Sequence, residues 1–256
     1  MKFELDKYFE RIGWQPGSES PYEQMKMLHR RHAMSIPFEN MDIVMKKSIS
    51  LAPDDLYEKI VLQKRGGYCF EMNALFFLAL EAMGFEVRPY AARVCRMGTG
   101  YGGYSHRVNI VTLAGQRYVV DVGFGANCFI DPVLIEENLV QEQRLNTYRL
   151  VRSDKVDFAV QCLQNGEFSD MFGFNDRPAV YEDFEIGNYF ASSHPRSFFV
   201  GNIVCVLATE NGRYSLFNDT LTIIEGGASR KIGVTREQLP EVLRTYFNLE
   251  MDGISF

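Results

Sequence analysis

The 256-residue sequence has no CxxC pair, no basic excess, only four histidines and no apolar run longer than Ala74–Leu80. Acidic residues outnumber basic ones, 33 to 27, for a formal net charge of −6. No polyanion-binding face is advertised, which excludes nucleic acid as the main partner. A seven-residue apolar run is far too short to cross a bilayer. The N-terminus, MKFELDKYFERIGW, carries acids from its fourth residue and reads as an amphipathic helix, not a secretion signal. The five cysteines, Cys69, Cys95, Cys128, Cys162 and Cys205, are odd in number and unpatterned. That spacing excludes a disulfide framework and a zinc site and fits a reducing compartment. The expectation is a soluble, cytoplasmic protein without a metal or a membrane partner.

What is abundant is apolar and aromatic. Hydrophobic residues make up 46% of the chain, with 20 Phe and 13 Tyr, enough for a large core and two or three subdomains. The first third has helical spacing: Tyr22 to Met34, stopped by Pro37, then Pro53 to Lys64, then a helix opened by Cys69 and stopped by Gly84. The last of these has an apolar face at Met72, Leu75, Phe76, Ala79 and Met83. From Val87 the period changes to two. EVRPYAARV, HRVNIVTL and RYVVDVGF read as strands, followed by Tyr148–Arg152, Phe158–Leu163, Ile203–Thr209 and Tyr214–Ile224. Near the end, Thr235 and Gln238 form a capping-box pattern ahead of Leu239, Leu243, Tyr246 and Phe247. Helices first, strands second and a mixed end argue an α+β architecture.

One stretch, RGGYCFEMNALFFLAL from Arg65 to Leu80, places a single thiol where a helix begins. A helix N-terminus stabilises negative charge and so favours a thiolate. A nucleophilic cysteine needs a base and a group that orients the base. Among the histidines, His29 and His32 lie on a basic helix, where a solvated surface role is expected, and His194 precedes a proline in a loop. His106 opens a strand. If Ala114-Gly115 turns a hairpin, Leu113 faces Gln116 and His106 faces Gly123, which makes Asp121 a diagonal neighbour of His106 on the same face. An acid inside the apolar YVVDVGFG needs a cationic or hydrogen-bonding partner. Capping the turn at Gly123 is its alternative role; pairing with the imidazole accounts for its position better. The expected chain is Cys69, His106, Asp121. GTGYGG (Gly98 to Gly103) matches GxGxxG formally, but a strand and not a helix follows it, so a mobile loop beside His106 is expected.

RGGYCFEMN, SHRVNIV and YVVDVGFG together closely resemble the signature segments of arylamine N-acetyltransferases, and PFENMDI at Pro37 matches a further one. SSHPRSFF resembles the family's later Ser-x-Phe region, and the likeness runs over roughly residues 1–204. The resemblance implies a papain-like core in three parts: a helical bundle over 1–86, a β-barrel over 87–195 and a C-terminal α/β lid over 196–256. It implies the triad Cys69, His106 and Asp121, acetyl-CoA as acyl donor, and arylamines, arylhydrazines or hydrazides as acceptors. By the same carry-over Phe38, Val94, Phe124 and Phe199 line the acceptor pocket. Gly125, Ala126 and Asn127 lie near the coenzyme's phosphates, and Glu39 and Arg65 brace the turn before the nucleophile. The protein is then a monomer or homodimer. The rivals are a cysteine hydrolase, whose acyl-enzyme water would resolve, and an aromatic binding module with an inert cysteine, which leaves Asp121 unexplained.

Overall fold

The structure is a computed structural model, and it describes residues 3–96 and 100–251. Its helices are α1 (Leu5–Ile12), α2 (Pro21–Ser35), α3 (Met41–Val44), α4 (Pro53–Leu56), α5 (Cys69–Ala82), α6 (Tyr181–Ser193) and α7 (Leu239–Phe247). Local chemistry sets their ends. Ser20 caps α2 by accepting from the Glu23 amide, with Pro21 in the first turn. The expected helix from Pro53 to Lys64 is α4 continued by a π-helical turn, Tyr57–Leu62. Thr235 donates its amide to the Gln238 side chain as the capping pattern requires, but α7 itself begins only at Leu239.

The strands are β1 (Phe38–Glu39), β2 (Glu86–Arg96), β3 (Gly100–Leu113), β4 (Gln116–Val120), β5 (Val133–Leu134), β6 (Gln141–Glu142), β7 (Thr147–Val151), β8 (Phe158–Gln164), β9 (Glu167–Phe174), β10 (Val204–Thr209), β11 (Gly212–Phe217), β12 (Thr220–Glu225) and β13 (Ala228–Gly233). Two sheets result. Eight strands in the order β5-β4-β3-β2-β9-β8-β7-β6 form a near-closed antiparallel barrel, and β1-β10-β11-β12-β13 form a second sheet. The expected single strand Tyr214–Ile224 is a hairpin, broken at Asn218, whose φ is +52°. Gly100 to Gly103 belong to β3, which pairs with β2, so this part of the glycine-rich stretch is strand and not loop; Gly98 and Thr99 lie outside the described residues.

Helix α5 is the axis of the first half. It is buried nearly all round, with Leu75, Phe76, Ala79 and Leu80 packed against Tyr8, Met25, Tyr57, Val111 and Val120. A helix in that position needs no polar stripe, so its sequence shows little amphipathic pattern. The barrel has its own core around Val108, Ile110, Phe129, Phe158 and Phe172. β1 joins the second sheet through Phe38↔Val206 and Glu39↔Cys205, so a segment from the helical region forms the edge of the C-terminal sheet. The fold is α+β: N-terminal helices, an antiparallel barrel and a C-terminal sheet. Among the described residues no helix is long and apolar enough to cross a membrane.

Candidate active site

The turn before Cys69 is held from both sides. A Cβ on Gly66 would fall 2.1 Å from the Pro37 carbonyl oxygen, so only glycine lets this backbone lie against the start of β1. The Arg65 guanidinium meets Glu39 at 2.7 Å and Asp42 at 3.3 Å, while the Lys59 ammonium bridges Asp42 and Glu71 at 2.7 Å each. Glu71 in turn accepts the Tyr68 amide at 3.1 Å, closing the first turn of α5. Cys69 is therefore the first residue of the helix, and its thiol is 3.8 Å from the Ser105 carbonyl.

His106 and Asp121 meet as the hairpin register requires. Leu113 pairs with Gln116 and Asn109 with Val120, and beyond the last pair the His106 Nε2–Asp121 Oδ2 distance is 2.7 Å. Asp121 lies just past the end of β4, not inside a longer strand. It performs both expected roles at once, since its Oδ1 also accepts the Gly123 amide at 2.9 Å. That oxygen accepts a second hydrogen bond, from Asn73 Nδ2 at 2.8 Å. Burial alone would raise the Asp121 carboxyl; the His106 ring, Asn73 and the Gly123 amide outweigh it and hold the group below its ordinary value.

His29 and His32 correct the surface role expected from their basic neighbours. Both are fully buried, because α2 turns this side toward Phe76 of α5 and the end of the barrel. His29 Nε2 accepts the Asp121 amide at 3.1 Å, and its Nδ1 meets the Ile130 carbonyl at 3.2 Å. That pairing fixes a neutral Nδ1–H tautomer, and burial lowers His29 to about 4. His32 is lowered by burial as well, with Nδ1 at 2.7 Å from the Tyr8 hydroxyl.

Burial and the Asp121 charge push the Cys69 thiol up, against a lowering pull from the Phe70 amide at the helix start. A thiolate here therefore requires a cation formed beside it, and His106 is the histidine that lines the same cavity as Cys69. Cys69 and His106 share a cavity of about 530 Å³. Phe38, Val94, Phe124 and Phe199 all line it. The Phe124 ring stands edge-on to His106 at 5.2 Å, and Phe38 and Phe199 lie 6.0 Å apart. Gly125, Ala126 and Asn127 form a 3₁₀ turn directly after Phe124 and are not part of the cavity wall.

Some of the site was not anticipated. Asn73 is one helical turn beyond Cys69; a lone amide in the apolar FEMNALFFLAL was the available signal. Helix α6 adds Phe190 and Ala191 to the cavity, and its buried Phe184, Gly187, Asn188 and Ala191 follow helical spacing. Arg96 and Arg196 bring two cationic side chains to the wall.

An N-acetyltransferase family model matches residues 22–255. An arylamine N-acetyltransferase of Mycolicibacterium smegmatis is 33% identical over 238 residues, 91% of this chain and 86% of the relative, and one of Escherichia coli strain K12 is 30% identical over 94% of this chain and 85% of its own length. The solved structure of the arylamine N-acetyltransferase from M. tuberculosis superposes with a TM-score of 0.92 at 30% identity, covering 99% of this chain and 96% of that one. The Mycobacterium marinum enzyme in complex with CoA superposes at 0.90 with 28% identity, covering 96% and 92%. With the fold and the match over almost the whole chain in agreement, this chain belongs to the arylamine N-acetyltransferase family of acyltransferases.

Proposed function

We propose that this protein transfers an acetyl group from acetyl-CoA to the nitrogen of arylamines, arylhydrazines or hydrazides through an acetyl-Cys69 intermediate. The observation that carries this reading is the 2.7 Å His106–Asp121 pair together with a thiol at a helix start, with Cys69 and His106 lining one aromatic cavity. Asp121 uses His106 Nε2, which leaves Nδ1 to take the thiol proton. The Cys69 thiolate then attacks the thioester carbonyl, and the Cys69 amide at the start of α5 is proposed as a donor to the developing oxyanion. His106 returns the proton to the departing CoA thiol. In the second half-reaction the neutral amine attacks acetyl-Cys69, His106 accepts its proton, and the thiolate is released.

Phe38, Phe124 and Phe199 suit a planar acceptor, whose weakly basic nitrogen is uncharged at pH 7. The coenzyme is strongly anionic while the chain is net acidic, so local groups must receive its phosphates. Gly125, Ala126 and Asn127 are proposed for that role through the backbone amides of their turn. The division into 1–86, 87–195 and 196–256 is retained as a proposal for the folding units.

Mixing the protein with acetyl-CoA and no amine tests the reading. About one CoA per site should appear in a burst, with a gain of one acetyl group on the Cys69 peptide. CoA release only after an amine is added would replace the covalent path with direct transfer. Steady release in water alone would mark a hydrolase.

A further inference from the structure

His106 faces the active-site cavity; Arg107, its neighbour on β3, faces the other way. There the guanidinium lies in a second cavity of about 210 Å³, walled by Ala74 and Leu78 of α5, Pro89 of β2, and Tyr181 and Phe184 of α6. Arg107 is 6% exposed, yet its guanidinium makes no hydrogen bond or ion pair with any described residue, and Nε is fully buried without a partner. Its contacts are with ring faces: its Cζ is 4.6 Å from the Phe184 centroid and 5.5 Å from that of Phe77. Burial lowers the group to about 10, so it remains a cation at neutral pH.

A buried cation without an acceptor is costly, and native proteins rarely leave one so. The other buried cations nearby are satisfied: Arg65 by Glu39 and Asp42, Lys59 by Asp42 and Glu71. Arg107 differs in having an apolar, partly aromatic cavity in front of it instead of a carboxylate. We propose that this cavity is a second ligand site, distinct from the acyl-transfer cavity, for a small monocarboxylate with an apolar or aromatic body. The carboxylate would take the guanidinium N–H groups, and the body would fill the space between Leu78, Tyr181 and Phe184. A single cation among apolar walls matches one negative charge; a phosphate dianion would bring a charge that nothing else here neutralises. The cavity also adjoins the catalytic frame. The Arg107 carbonyl accepts Asn73 Nδ2 at 2.6 Å, and α6 lines both cavities.

Benzoate and its neutral isostere benzamide are the probes, titrated calorimetrically into the full-length protein. Benzoate should bind saturably at one site and benzamide at least about tenfold more weakly, as loss of a charge-assisted hydrogen bond implies. Arg107→Met should weaken benzoate by a similar factor, while Arg96→Met, in the other cavity, should leave this site unchanged. Leu78→Phe keeps the arginine and fills the cavity, and it should also abolish binding, which covers the case of a poorly folding Arg107 variant. Equal binding of benzoate and benzamide would overturn the proposal, as would parent-like benzoate affinity in Arg107→Met or Leu78→Phe. Loss of binding in Arg96→Met alone would assign the anion to the acyl-transfer cavity.

Discussion

Asn73 and Asp121 are joined by a hydrogen bond of 2.8 Å that ties the helix opened by Cys69 to the acid that follows the hairpin. Both Nδ2 hydrogens of Asn73 are used. Nδ2 also donates to the Arg107 carbonyl, Oδ1 accepts the Val122 amide at 3.0 Å, and its own carbonyl accepts from Asn109. Asn73→Ala leaves the Val122 amide and the Arg107 carbonyl without these partners. It should destabilise the protein by about 2–3 kcal/mol, measured by urea unfolding. A loss below about 0.5 kcal/mol would show that the frame does not depend on this amide.

Asp121→Asn should keep the shape of the site and lose the imidazole tautomer that presents Nδ1 to the thiol. Acylation by acetyl-CoA should slow by about 10²-fold or more while the circular dichroism spectrum is retained. Near-parent acylation in a folded variant would remove Asp121 from the mechanism.

The thiol should follow the ring. Because burial and Asp121 raise the lone Cys69 thiol, reactivity at low pH depends on proton transfer to His106. Iodoacetamide should alkylate the parent well below the ~8.5 of a free thiol. In His106→Ala the same profile should move upward. If the parent alkylates like an ordinary cysteine, there is no ion pair.

Gly123 touches the backbone of Cys69. A Cβ there would lie 2.9 Å from both Cys69 Cα and Asn73 Nδ2. Gly123→Ala must therefore displace Cys69 or bend the turn. Displacement on this scale should reduce kcat by up to about 10²-fold, more than it reduces stability. Steady-state rates beside a thermal melt would separate the two.

Acid should loosen the protein before its carboxylates titrate. His29 titrates at about 4 when folded and near 6.5 when unfolded, so between those values the unfolded chain binds the extra proton. Stability is complete above pH ~6.5 and falls on the way down to ~4, by on the order of 3 kcal/mol from this residue. His32 acts in the same direction. Chemical denaturation across this range should show the slope in the parent and a flatter one in His29→Gln. An unchanged slope in that variant would exclude His29 as the source.

Strand parity was enough to bring His106 to Asp121, because a two-residue turn sets every pairing behind it and the turn lies where Ala114-Gly115 suggested. The helix start at Cys69 was equally legible, from paired glycines followed by an apolar run. Burial of His29 and His32 was not legible. Arg30 and Arg31 between them suggest a wet face, yet Arg30 pairs with Asp131, 101 residues away, and the histidines on either side turn inward. Helix α6 was hidden for a related reason. Its outer face carries exposed Ile186 and Tyr189, which blur the contrast that periodicity needs. The wall it gives to the cavity depends on contacts with α5 and β3, which no local pattern records.

The pairing of β1 with β10 has a consequence for when the site comes into being during folding. Phe38 and Val206 are partners across most of the chain, and the backbone between them includes all of the barrel. Closing so long a loop is entropically slow, and contacts of this separation delay folding. The hairpin that brings His106 to Asp121 and the helix that opens with Cys69 use nearer partners. The pair of groups that makes a thiolate can therefore assemble before Phe38 and Phe199 close the wall over it. In such an interval the Cys69 thiol would be open to water and to oxidants. Acetyl-CoA present during refolding should protect Cys69 from oxidation only after the second sheet has closed, which pulsed alkylation along a refolding time course would resolve.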